Sequence, residues 1–241
     1  MLQGKSAFST FFSLAKQYAF WMFFFASCRA IFLLYNFRLL KEAGIGEAVQ
    51  SFWHALYLDN SITCYILIFP FVLMFFQSLV KHPFLCIANK VYSIILISVF
   101  SLLIVSELEI FREWGVKLNY KAMSYLVRPA EVFETARPVF LIAGILVAGL
   151  HSFLWIFLYH RFVFQKIRMR RRRYLFSALF LIIAPFLLFG GIRGGTQPIP
   201  IQISDVYFSK NNFINLATVN SLFHLGSSFD KNWRYRGVNP F

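Results

Sequence analysis

The feature that most constrains this chain is a run of basic residues between two long apolar stretches. Residues 165–173 contain six cations and no acidic side chain. A basic cluster between two membrane-spanning helices stays on the cytoplasmic side of a bilayer, because moving it across is costly. The run therefore predicts the orientation of a membrane protein, and its cations are Lys166, Arg168, Arg170, Arg171, Arg172 and Arg173.

The composition supports a membrane protein over a soluble one. Of 241 residues, 59% are hydrophobic and 14% are charged, whereas soluble domains are about 45–50% apolar and about 25% charged. The net charge of +14 is concentrated beside apolar runs, which favours anionic lipid headgroups and argues against nucleic acid. The three cysteines (Cys28, Cys64 and Cys86) lack the spacing of a metal site and are interpreted as packing residues.

Five apolar runs are long enough to cross about 30 Å of hydrocarbon as helices. The predicted fold is therefore an all-α, five-helix transmembrane bundle. The predicted spans are residues 17–35, 62–80, 91–110, 139–159 and 174–192.

The distribution of charge orients these spans. With the N-terminus inside, the cytoplasmic segments carry Lys and Arg at more than twice the density of the outer segments, and all ten acidic residues fall outside or near the outer end of the third span. This arrangement predicts a five-span domain over residues 1–192 with its N-terminus inside. Residues 193–241 then form an extracytoplasmic linker.

A few polar side chains lie inside or at the ends of the apolar runs. Arg29 and Glu107 occupy similar predicted depths, with Glu109 and Arg112 close by. One interpretation is an Arg29–Glu107 ion pair that fixes helix packing. The other is an outward-facing polar cleft formed by all four residues, in which Arg29 binds a lipid phosphate. His151 is interpreted as a hydrogen-bonded packing residue.

The outer segments are predicted to contain further short elements. Residues 112–126 mix apolar groups with cations and predict an amphipathic segment on the membrane surface. Residues 129–134 resemble the start of a short helix. In the linker, Ser209 is a suitable N-cap for one amphipathic helix over residues 210–225. Such a linker is too small to bury a core of its own, which favours a connector to another domain.

Several segments resemble a known family of envelope enzymes. They are residues 106–109, 114–119, 125–132, 193–195, 205–209 and 215–220. With the five spans, they resemble the membrane half of bacterial lipoteichoic-acid-synthase-like proteins, which are phosphoglycerol transferases and sulfatase-like enzymes of the alkaline phosphatase superfamily.

The resemblance implies a location in the bacterial cytoplasmic (inner) membrane and an extracytoplasmic α/β catalytic domain, supplied in cis or in trans. A Thr or Ser nucleophile and a divalent metal (Mn, Mg or Zn) would belong to that domain. No catalytic or metal-binding residue of the family carries over to this chain, so the chain is expected to act as an anchor that contacts membrane lipids and presents a lipid substrate.

Two other functions remain open from the sequence. A small transporter or channel would need a polar path, which Arg29, Glu107 and His151 could line, although the five unequal spans show no internal repeat. An accessory subunit would instead bind a partner protein through the outer linker.

Overall fold

A computed structural model describes residues 9–80, 82–126, 138–164 and 174–235. Within these ranges the chain is predominantly helical and contains no β-strand, which confirms the all-α prediction. The α-helices are α1 (Ser9–Tyr35), α2 (Phe37–Ala43), α3 (Ile45–Val80), α4 (Pro83–Trp114), α5 (Tyr120–Leu126), α6 (Pro138–Leu158), α7 (Tyr174–Arg193), α8 (Asn212–Thr218) and α9 (Ser221–Tyr235). A turn of π-helix over Tyr159–Val163 follows α6, and a short 3-10 helix spans Ile203–Val206.

Four helical stretches are long and apolar enough to cross a bilayer, and they make the chain a multi-pass membrane protein. They are Thr10–Tyr35, Ile45–Val80, Pro83–Trp114 and Ile142–Val163. The fifth predicted span is also helical, as α7, which is not among these four stretches and contains the shorter apolar helix Ser177–Arg193. A fifth crossing and the orientation stay predictions, since the basic run 165–173 lies outside the described residues.

The predicted outer loop over residues 36–61 is almost wholly helical, because α2 and the first half of α3 occupy it. With 36 residues, α3 is about 54 Å long. Its first half carries polar and charged side chains, so the sequence did not predict it as part of a span. However, Ala48, Ser51, Ala55 and Leu58 are buried at spacings of three and four residues. One face of this half therefore packs inside the protein, which stabilises the helix.

The described chain divides into two compact units, and α1, α3, α4 and α6 each contribute to both. The first unit comprises the described residues of 1–25, 59–97 and 154–201. Aromatic rings fill much of its interior. Phe24 contacts Trp21 and Trp155 edge-to-face, with both centroid separations at 5.4 Å, which is a favoured geometry for such rings.

In this unit α3 and α7 approach closely at a glycine. A Cβ on Gly191 would lie 2.3 Å from Sγ of Cys64. Close by, Asn60 Nδ2 donates to the Gly191 carbonyl at 3.2 Å, and Ser61 Oγ donates to the Ile192 carbonyl at 2.8 Å. Carbonyls in the last turn of a helix lack partners within it. The polar side chains of α3 therefore cap α7.

The second unit comprises the described residues of 26–58, 98–153 and 202–241. Its apolar core joins transmembrane helices to the C-terminal segment (residues 202–235). The Phe32 ring lies 4.8 Å from the Phe111 ring and 5.8 Å from the Phe213 ring, measured between centroids. Ile214 and Ala217 are buried in the same cluster. The C-terminal segment thus buries Phe213, Ile214 and Ala217 against α1 and α4.

Two helices occupy the region where the sequence predicts one helix over residues 210–225. The Asn211 side chain caps α8 by accepting from the Phe213 amide at 2.9 Å. The Asn220 side chain caps α9 by accepting from the Leu222 amide at 3.0 Å. Asparagine is among the best N-cap residues. Asn211 therefore takes the role expected of Ser209, and Asn220 starts a second helix.

Candidate functional site

The second unit contains a buried ion pair between a helix and the loop that follows it. Lys117 Nζ lies 3.0 Å from Glu107 Oε1, and the two side chains are only 3% and 2% exposed. Gly115 makes this approach possible, because its φ of 66° turns the chain back directly after α4. Lys117 thereby faces the helix it has just left.

The remaining polar atoms of this pair also have partners. Glu107 Oε1 accepts from Ser221 Oγ at 2.7 Å, and Oε2 accepts from the Leu118 amide at 3.3 Å. Lys117 Nζ donates to the Val219 carbonyl at 3.0 Å. A buried charge pair is tolerated when further hydrogen bonds satisfy both groups. Through these bonds, Glu107 connects to α9 and to the loop after α4, and Lys117 connects to the C-terminal segment.

Arg29 binds the same segment from α1. The side chain is buried, with Nε 3.0 Å from the Ala217 carbonyl and Nη2 3.3 Å from the Thr218 carbonyl. These carbonyls end α8, where the helix dipole attracts a cation. We refer to Arg29, Glu107 and Lys117 as the buried charge cluster. It fastens residues 217–221 to α1, to α4 and to the loop after α4.

The four residues predicted to line a lipid-binding cleft therefore separate into two groups. Arg29 and Glu107 are buried and bonded to the protein, and the described ion pair of Glu107 is with Lys117. Lys117 is not among the residues predicted from the sequence to line the cleft. Its position could have been suspected only from the glycine two residues earlier, since nine residues of helix and loop separate it from Glu107.

Glu109 and Arg112 form a second, exposed group at the end of α4. Arg112 Nη2 lies 2.7 Å from Glu109 Oε2 and 3.1 Å from Glu113 Oε1. Tyr35 Oη donates to Glu109 Oε1 at 2.5 Å. The Arg112 side chain is 37% exposed. Its guanidinium is therefore partly exposed, while its Nε, Nη1 and Nη2 atoms donate to Glu113, Tyr35 and Glu109.

His151 has hydrogen-bond partners within the second unit. Ser101 Oγ lies 2.8 Å from Nδ1, and Ser27 Oγ lies 3.4 Å from Nε2. These contacts link α6 to α4 and α1, as expected for a packing residue.

His224 lies beside the buried charge cluster and donates from Nδ1 to the Leu118 carbonyl at 2.9 Å. Burial is the main cause that lowers its pKa below 6.5. The nearby cations Lys117 and Lys231 lower it further, while the hydrogen bond and the Glu107 carboxylate oppose them. The folded protein therefore holds this ring neutral at pH values where an unfolded chain would protonate it.

A pH dependence of stability follows from this lowered pKa. Below about pH 6.5 the unfolded chain binds the proton more readily, so we expect stability to fall as the pH drops from there toward the folded-state pKa, and to level off above pH 6.5. The apparent melting temperature in detergent, measured from pH 8 to pH 5, tests this. His224→Asn, whose amide can also donate to the Leu118 carbonyl, should give a flatter profile. An equally steep profile would contradict the assignment.

The described residues contain no group of three or more His, Cys, Asp or Glu side chains placed to hold a metal ion. No family model, no curated protein and no solved structure matches the chain.

Proposed function

We propose that the chain is the membrane-anchor domain of an envelope phosphoglycerol transferase or sulfatase-like hydrolase. In this proposal the N-terminus is cytoplasmic and the C-terminal segment lies on the outer face of a bacterial cytoplasmic membrane. The observation that carries the proposal is the attachment of residues 217–221 to the buried charge cluster. Catalysis and its divalent metal would belong to a catalytic domain joined in cis or recruited in trans.

A firmly attached segment suits an anchor better than a loose tether does. A flexible linker lets its cargo sample a wide volume, whereas a short rigid one holds it at high effective concentration beside its target. Arg29 and Lys117 hold consecutive carbonyls from Ala217 to Val219, so the position of α9 is fixed at its start. A catalytic domain attached there would stay near the bilayer surface.

Within the proposal, the group that presents the lipid is the exposed one at the end of α4, formed by Glu109 and Arg112. The Arg29 and Glu107 side chains are buried, whereas the Arg112 side chain is 37% exposed although it pairs with Glu109 and Glu113. A planar guanidinium binds phosphate in a bidentate manner. We therefore propose that Arg112 contacts the phosphate of a glycerophospholipid headgroup, with Glu109 and Tyr35 orienting it.

The lipid contact predicts a loss of bound phosphatidylglycerol in the Arg112→Gln variant. Native mass spectrometry of the detergent-purified protein, titrated with phosphatidylglycerol, should show occupancy about threefold to tenfold lower than in the wild type, as expected when one charge-assisted contact worth about 1 kcal/mol is removed. Arg38→Gln is the matched control, because Arg38 is an exposed arginine of the same unit, on α2.

Equal occupancy in both variants would remove the lipid-presenting part of the proposal and leave the anchor. The orientation is checked with an alkaline phosphatase reporter fused after Phe241, which should be active only if the C-terminus is outside. A reporter that is inactive because it lies in the cytosol would contradict the anchor function itself.

A further inference from the structure

The last helix, α9, carries a stripe of apolar side chains that emerges from the protein. Leu222, Leu225, Phe229 and Trp233 recur at spacings of three and four residues and so share one face of the helix. Leu222 is 9% exposed, whereas Phe229 is 43% and Trp233 is 75% exposed. The stripe is thus buried where the helix begins and open where it ends.

Contacts within the second unit place the open end of this stripe at a defined level along α4. The Leu118 amide is bonded to Glu107, which lies about 10 Å before the end of α4. Tyr120, two residues on, is within about 7 Å of Leu118. Its amide donates to Ser228 Oγ at 2.9 Å, and its ring contacts that of Phe229 at 5.1 Å between centroids. Phe229 therefore lies level with the last turns of α4.

Those turns lie where a spanning helix passes from hydrocarbon to headgroups. The apolar run of α4 ends near Ile110, acidic and basic side chains follow, and Trp114 at the end of the helix is 52% exposed. Tryptophan and other aromatic side chains concentrate at this depth in membrane proteins. The open stripe of α9 thus lies at the depth where an apolar surface is covered by lipid.

We propose that the C-terminal half of α9 lies in the membrane interface, with Phe229 and Trp233 inserted at the boundary between headgroups and acyl chains. The polar side of this half carries Lys231 and an ion pair in which Arg234 Nε lies 2.9 Å from Asp230 Oδ2. An apolar stripe opposite a charged face is the pattern of an interfacial helix. The proposal concerns depth alone, so it holds for either orientation and does not depend on lipid binding at Arg112.

Fluorescence quenching of the full-length protein in lipid nanodiscs tests this proposal. The contribution of Trp233 is the difference between the wild type and Trp233→Phe, a conservative variant at an exposed position. In discs whose lipids carry bromine near the headgroup end of an acyl chain, we expect this difference signal to fall by about twofold or more relative to unbrominated discs, as for an interfacial tryptophan.

Quenching by the brominated lipid supports the proposal, and its absence overturns it. Acrylamide, added to the same discs, then identifies what surrounds the side chain instead. Strong quenching by acrylamide together with none by bromine means that Trp233 faces water. Protection from both quenchers means that protein covers the stripe, either a second copy of this chain or another partner. Both of these outcomes refute the lipid assignment.

Discussion

Replacing Lys117 by methionine is expected to destabilise the protein by about 3–5 kcal/mol, the usual cost of leaving one member of a buried ion pair without its partner. Among the described residues, the Glu107 carboxylate would keep the Ser221 hydroxyl and the Leu118 amide as partners, and the Val219 carbonyl would lose the Lys117 donor. Methionine has nearly the volume of the lysine stem, so the loss reflects charge more than packing.

The C-terminal segment is expected to open before the whole protein unfolds, because Lys117 binds this segment. Limited proteolysis should therefore cleave the variant faster at Lys210 and Lys231, two exposed lysines of that segment. Equilibrium unfolding in mixed detergent micelles measures the free energy. Lys121→Met is the matched control, since Lys121 is an exposed lysine of α5, and it should change stability by less than about 0.5 kcal/mol.

A second variant separates the effect of the unpaired charge from that of the lost side chain. In Lys117→Met with Glu107→Gln, the amide oxygen can still accept hydrogen bonds and no uncompensated carboxylate remains. We expect the double variant to recover a large part of the lost stability. A double variant that is no more stable than Lys117→Met would show that the unpaired Glu107 carboxylate does not cause the loss of stability.

The helical architecture could be predicted because hydropathy and chain length are local properties. A run of about 20 apolar residues in a bilayer forms a helix, because a helix satisfies every backbone polar group of the run internally. The first half of α3 escaped prediction for the opposite reason. Its polar residues obscure the membrane signal, although Ala48, Ser51, Ala55 and Leu58 already display a helical spacing.

The site was harder to predict because its partners are backbone atoms. The sequence identifies Arg29 and Glu107 as costly residues in a membrane, and the structure places both in the buried charge cluster. What Arg29 binds, however, is the pair of carbonyls at the end of α8. Every residue has a carbonyl, so no pattern of side chains points to these two. Both carbonyls are available because the helix breaks between α8 and α9, where Asn220 acts as the N-cap. This role of Asn220 can be recognised only together with the residues that follow it, Ser221, Leu222 and Phe223.

The orientation of the chain shows a different limit. It rests on the cations at 165–173, which lie outside the described residues, and on a statistical bias in loop charge. The contacts of the second unit are the same whichever side of the membrane that unit faces.

Replacing Gly191 by alanine is expected to destabilise the first unit by about 2–3 kcal/mol, the range for overpacking together with damaged hydrogen bonds. The new Cβ would lie 2.3 Å from Sγ of Cys64 and 3.4 Å from Nδ2 of Asn60. Relieving this overlap by moving α3 and α7 apart would stretch the bond from Asn60 to the Gly191 carbonyl and that from Ser61 to the Ile192 carbonyl. Unfolding in mixed micelles gives the free energy.

The neighbouring glycine provides the matched control for this prediction. Gly190 lies in the same helix, and a Cβ built there meets nothing within 4 Å. Gly190→Ala should therefore be neutral or stabilising, as alanine is the better helix former. Cys64→Ala removes the overlapping sulfur and leaves only a 3.3 Å contact with its Cβ, so it should restore much of the stability lost in Gly191→Ala. If Gly191→Ala lowers the free energy of unfolding no more than Gly190→Ala does, the Cys64 thiol rotates away freely. In that case the close approach of α3 and α7 does not restrict the residue at position 191.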